Sequence, residues 1–138
     1  MNNKTILVIE ENLALLDNTR EFLELHGYST AIASSCQEGL SVLEKMRPGL
    51  ILCDMRRPQL DDFSILKHVN STPEYRAIPF LIFSGHSEKK DIQEAIALGA
   101  DDYLVMPFEM RDLLKLVRHH MKSAQKEAAN KQHKNCFA

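Results

Sequence analysis

The run Leu50-Ile51-Leu52-Cys53-Asp54 decides the architecture. Four consecutive apolar residues describe a strand covered on both faces, and such strands belong to parallel sheets. Asp54 follows directly, although Asp is neither a strand former nor cheap to bury. Working outward, short apolar runs recur at Thr5–Ile9, Tyr28–Ala33, Phe80–Phe83 and Asp102–Val105. Between them lie stretches with apolar residues every three to four positions, the helical spacing. Leu15, Leu16, Thr19, Phe22, Leu23 and His26 run up to Gly27, where a glycine would end a helix. Leu40, Leu43 and Met46 are opened by Ser34-Ser35 as caps and closed by Pro48-Gly49. Ile65, Leu66 and Val69 follow Asp61-Asp62, and Ile92, Ala95, Ile96 and Leu98 lie between Ser87 and Gly99. Leu113, Leu114, Val117, His120 and Met121 make the fifth stretch. Five strand–helix units in a row predict an α/β fold, an open parallel sheet with helices on both faces, since each crossover must be right-handed.

The 138 residues suit one domain, with 44% hydrophobic and 26% charged residues, an ordinary balance for a soluble globular protein. A formal net charge of −2 supplies no global basic field, so neither nucleic acid nor a membrane surface is expected as a direct partner. The apolar run after Met1-Asn2-Asn3-Lys4 is too short for a signal peptide or a span. Cys36, Cys53 and Cys136 are odd in number and lack metal-type spacing, and Cys53 reads as a buried thiol. These features predict a cytoplasmic protein with reduced thiols. The domain is expected over residues 1–122, with 123–138 a polar tail that either prolongs the last helix or is disordered.

In an open α/β sheet, ligands bind beyond the carboxyl ends of the strands. Glu10, Glu11 and Asn12 follow the first strand, Asp54 the third, Ser84-Gly85 the fourth and Met106-Pro107-Phe108 the fifth. Carboxylates gathered at adjacent strand ends need a cation or a proton between them. Glu10, Glu11 and Asp54 therefore suggest a hard divalent cation, most simply Mg²⁺, held by few carboxylates and several waters. The competing reading makes Glu10 and Glu11 ordinary acids in a first helical turn, where they favour the dipole. A carboxylate beside Mg²⁺ is also a nucleophile toward phosphorus, able to form an acyl phosphate. A hydroxyl such as Ser84 could donate to a phosphoryl oxygen.

At these residues the chain resembles the receiver domain of two-component response regulators, the CheY-like family, over about residues 4–121. The resemblance rests on four pieces. They are Ile6-Leu7-Val8-Ile9-Glu10-Glu11-Asn12, the stretch from Asp54-Met55-Arg56-Arg57-Pro58 to Asp61-Asp62-Phe63, Ile82-Phe83-Ser84-Gly85, and Gly99-Ala100-Asp101-Asp102-Tyr103 through Met106-Pro107-Phe108. It implies a flavodoxin-like (βα)5 fold, a three-layer αβα sandwich with sheet order 2-1-3-4-5. It implies that Asp54 is the phosphoacceptor, charged by a sensor histidine kinase or a phosphotransfer protein. Mg²⁺ would be bound weakly by Glu10, Glu11, Asp54 and the backbone carbonyl of Arg56. Ser84 matches the switch hydroxyl and Tyr103 the switch aromatic. The face of the fourth helix, fifth strand and fifth helix would meet a downstream effector. The Met106–Pro107 bond is often cis in such proteins.

Three positions depart from the family pattern. Met106 stands where such domains carry a lysine, and losing that charge-assisted contact weakens the phosphorylated state by about 1.5–3 kcal/mol. Glu11 replaces an aspartate, and Asp62 a common glycine. Arg56 and His86, two residues beyond Asp54 and Ser84, are candidates to lessen the charge deficit; Arg56 solvated at the rim is the plainer alternative. His119, His120 and His133 read as helix surface and tail. The leading expectation is a stand-alone, non-enzymatic receiver in a phosphorelay. Its rival is a pseudo-receiver that docks partners without phosphate. An aspartyl phosphatase fits poorly, because its usual second Asp would fall at Arg56, and homodimerisation stays open.

Overall fold

The computed structural model describes residues 3–55 and 63–122. Five strands, β1 (Thr5–Ile9), β2 (Ser29–Ala33), β3 (Leu50–Asp54), β4 (Phe80–Ser84) and β5 (Asp102–Val105), form one parallel sheet in the order β2-β1-β3-β4-β5. The helices are α1 (Leu13–Leu25), α2 (Cys36–Lys45), α3 (Phe63–Ser71), α4 (Lys89–Ala97) and α5, described over 110–122. The flavodoxin-like order implied by the resemblance is the order found.

Alternation along the central strands explains the three layers, because successive side chains point to opposite faces. Leu7, Ile9, Ile51, Cys53, Phe80 and Ile82 pack with Leu43, Ile65, Leu66, Val69 and Ala95 on the side of α2, α3 and α4. Ile6, Val8, Leu50, Leu52, Leu81 and Phe83 pack with Leu16, Leu23, Leu113, Val117 and Met121 on the side of α1 and α5. Both faces of β3 and β4 are thus covered, which is why their sequences are apolar at every position. Cys53 is fully buried, as its place in the run predicts.

Boundaries differ from the sequence pattern in instructive ways. Strands β3 and β4 each run one residue further than their apolar stretches, taking in Asp54 and Ser84. Backbone pairing continues past the last apolar side chain: Asp54 lies in register with Phe83, and the Met55 amide donates to the Phe83 carbonyl at 3.2 Å. Helix α1 begins after Asn12, whose Oδ1 accepts from the Leu15 amide at 3.1 Å. Helix α2 is capped by Ser35, as expected, whose Oγ accepts from the Glu38 amide at 3.1 Å, and the Glu38 carboxylate accepts from the Ser34 amide at 2.7 Å. Helix α4 is entered through Glu88 and not Ser87. Ile96, counted with its apolar stripe, is 46% exposed, while Ala95 beside it is fully buried. Gly27 and Gly99 have φ of +92° and +117°, the conformation a helix-ending glycine supplies. No helix among the described residues is long and apolar enough to cross a membrane. Residues 123–138 lie outside the described residues, and so does the expected tail.

Candidate functional site

Parallel pairing of β1 with β3 sets Ile9 opposite Cys53, so the next residues, Glu10 and Asp54, reach the same edge of the sheet. Both are buried, Glu10 at 1% and Asp54 at 7% exposure. The Glu10 carboxylate is oriented locally: Oε1 accepts from the Asn12 amide at 2.9 Å, and Asn12 in turn caps α1. Glu11 is exposed at the rim. Because α1 starts at Leu13 and carries no acid in its first turn, Glu10 and Glu11 are not first-turn acids, and that competing reading falls.

Ser84, fully buried at the end of β4, bridges neighbouring strand ends. Its hydroxyl donates to the Met55 carbonyl at 2.5 Å and accepts from the His86 amide at 3.1 Å. Tyr103, on β5 opposite Ile82, packs its ring against the α2–α3–α4 core, and its Oη donates to the His86 carbonyl at 2.8 Å. His86 is therefore tied to both side chains, its amide donating to Ser84 and its carbonyl accepting from Tyr103. Burial raises the Tyr103 phenol above its ordinary pKa. The neighbouring Ser84 side chain opposes the shift, and the charges of Asp91 and Asp54 add to it. The Met106 amide donates to the Ser84 carbonyl at 2.8 Å, and the Met106–Pro107 bond is cis. The Met106 side chain joins the partly buried fringe of the α1–α5 core with Leu104 and Phe108.

The edge thus brings together Glu10, Asp54, Ser84, Tyr103 and the backbone of Met106. Arg56, with the carbonyl expected to bind metal, and Asp62 lie outside the described residues. Among the described residues, no three His, Cys, Asp or Glu side chains gather closely enough to cage a metal ion. The donor set that is present, two buried carboxylates at adjacent strand ends, still fits Mg²⁺, which keeps several waters and takes only one or two protein carboxylates.

Two features escaped the pattern of the sequence. Asp91, in the first turn of α4, is only 4% exposed, on the face that also buries Ala95 four residues later. The i, i+4 relation to Ala95 was the available signal. His120, read as helix surface, has a side chain only 15% exposed, and its Nε2 lies 3.1 Å from Asp102 Oδ2 at the start of β5. Position 120 adjoins Met121 on the buried side of α5, which turns the ring toward the sheet.

Residues 6–118 match the family model described as the response regulator receiver domain. The chain belongs to that family. Among curated relatives, an uncharacterised 14.6 kDa protein of Leptolyngbya boryana is 30% identical over 115 residues, covering 83% of this receiver domain chain and 88% of the relative. The response regulator MprA of Mycolicibacterium vanbaalenii is 29% identical over 113 residues, 82% of this chain and 48% of that protein. The receiver chain therefore spans about half the length of several of the relatives it matches. A solved CheY-like receiver domain protein from Methanospirillum hungatei superimposes with a TM-score of 0.82 at 27% identity, over 90% of this chain and 98% of that one. This receiver domain is thus a signalling module of the two-component type.

Proposed function

We propose that this receiver accepts a phosphoryl group on Asp54, from a sensor histidine kinase or a phosphotransfer protein, and changes its partner-binding surface in response. The observation that carries the reading is the burial of Glu10 and Asp54 at adjacent strand ends, beside the buried Ser84 hydroxyl. A carboxylate oxygen of Asp54 would attack phosphorus as the bond to the donor's histidine nitrogen, or to acetate in a small-molecule donor, breaks with its electron pair leaving on the donor. Glu10 and Asp54 would hold Mg²⁺, with Glu11 at the rim and the Arg56 carbonyl as further ligands, and the ion would supply positive charge opposite the phosphoryl oxygens. Ser84 would then release the Met55 carbonyl and donate to a phosphoryl oxygen, and Tyr103 would respond through the shared His86 contact. The output face would be α4, β5 and α5, docking an effector protein, with residues 1–122 as the working domain, 123–138 as an appended tail, and a cytoplasmic setting.

A second reading, a pseudo-receiver that docks partners without phosphate, is favoured by Met106, whose side chain is spent on apolar packing. One experiment separates the two. Incubation with acetyl phosphate and Mg²⁺ should add the mass of one phosphoryl group to the intact chain, and Asp54→Asn should abolish the gain. An unchanged parent mass under those conditions selects the pseudo-receiver.

A further inference from the structure

Asp91 is the buried charge that the proposed phosphorylation chemistry leaves unused. It is 4% exposed, and its Oδ1 is buried without a hydrogen-bond partner. An acid in the first turn of a helix ordinarily stabilises it when it is exposed to solvent. A buried carboxylate with an unsatisfied oxygen works against that gain, because it has given up hydration. The nearest cations in sequence, Lys89 and Lys90, are exposed, and Lys90 pairs with Glu88 at 3.7 Å. Residue Glu88, which enters α4, makes no side-chain capping bond.

This turn follows immediately on the segment that the switch residues hold down. His86 is fastened at its amide by Ser84 Oγ and at its carbonyl by Tyr103 Oη. Residues 85–90 are otherwise exposed. The segment thus runs from His86, bonded to both switch side chains, to a buried carboxylate with an unsatisfied oxygen. We propose that Asp91 is a built-in opposing charge, whose hydration on opening sets how readily the β4–α4 segment lifts away from Ser84 and Tyr103. Asp91 acts here as a positioning residue, through the segment and not on any ligand. Its charge also bears on the Tyr103 phenol, after burial and the Ser84 contact in order of weight, so the two elements share one electrostatic environment. The inference rests on reading Ser84 and Tyr103 as the switch pair, but its test requires no phosphoryl donor.

The test compares Asp91→Asn and Asp91→Ala with the exposed-site control Glu94→Gln, each in the full chain. Both Asp91 variants should raise Tm by about 2–4 °C. Both should also slow amide exchange across residues 86–91 by about threefold to tenfold without any phosphoryl donor. The control should do neither. A lower Tm in both Asp91 variants makes Asp91 an ordinary helix-start acid and overturns the proposal. A higher Tm without slower exchange also overturns it, since burial strain would then be unconnected to opening. Failure of Asp54 to gain phosphate leaves both readouts intact, so the two claims fail separately.

Discussion

Phe83→Ala should lose about 3–5 kcal/mol of unfolding free energy, a large share of the 5–15 kcal/mol typical of a domain. The side chain is 1% exposed and belongs to the α1–α5 core, where its ring meets Phe108 edge to face at 6.2 Å and 87°. Truncation removes the transfer free energy of the ring and leaves a cavity that close-packed neighbours fill only in part. The loss reaches the site as well, because Phe83 precedes Ser84, and its carbonyl accepts the Met55 amide that extends the β3–β4 ladder. Urea denaturation monitored by far-ultraviolet circular dichroism measures the difference. Ile32→Ala, at a side chain 46% exposed on the edge strand β2, should stay within about 0.5 kcal/mol. Equal losses for the two would show that Phe83 does not occupy the core as described.

The second large effect concerns the charge missing at position 106. In the presence of Mg²⁺, Met106→Lys should bind beryllium fluoride about 10–100-fold more tightly, the equivalent of one charge-assisted hydrogen bond. The Met106 amide is already fixed to the Ser84 carbonyl, so the substitution changes what the side chain offers without moving the backbone that carries it. The lysine stem can keep part of the apolar contact that methionine makes beside Leu104 and Phe108, which limits the stability cost to under about 1.5 kcal/mol. Titration followed by two-dimensional amide spectra reads the affinity, and thermal melting reads the cost. An unchanged affinity would mean that position 106 does not face the phosphoryl site, and the account of the charge deficit would fail.

Much of the fold was legible because burial on both faces leaves an unmistakable trace. Leu50 to Cys53 and Phe80 to Phe83 are apolar at every position for that one reason. The sheet order was not legible in the same way, since five similar strands carry no label for their neighbours; the family resemblance supplied it. Asp54 and Ser84 stand inside strands and not after them, because the backbone ladder is indifferent to the side chain that ends an apolar run. At the site, Glu10 and Asp54 announced themselves as acids at strand ends. Glu11 looked equivalent to Glu10 in sequence, yet one residue of advance along the chain takes it from burial to the rim. Asp91 was hidden because an acid near a helix start has an ordinary explanation, and only packing reveals that this one is buried. His120 was hidden because its acceptor, Asp102, lies eighteen residues away and meets it only in the folded chain.

The central claim is that Asp54 itself carries the phosphoryl group, which calls for a measurement at that one residue. Borohydride reduces an aspartyl phosphate to homoserine, so treatment with acetyl phosphate and Mg²⁺ followed by borohydride should leave homoserine at position 54 in the peptide map. Omitting Mg²⁺ should remove it. Aspartate still intact at position 54, or homoserine spread over other acidic positions alone, would contradict the account.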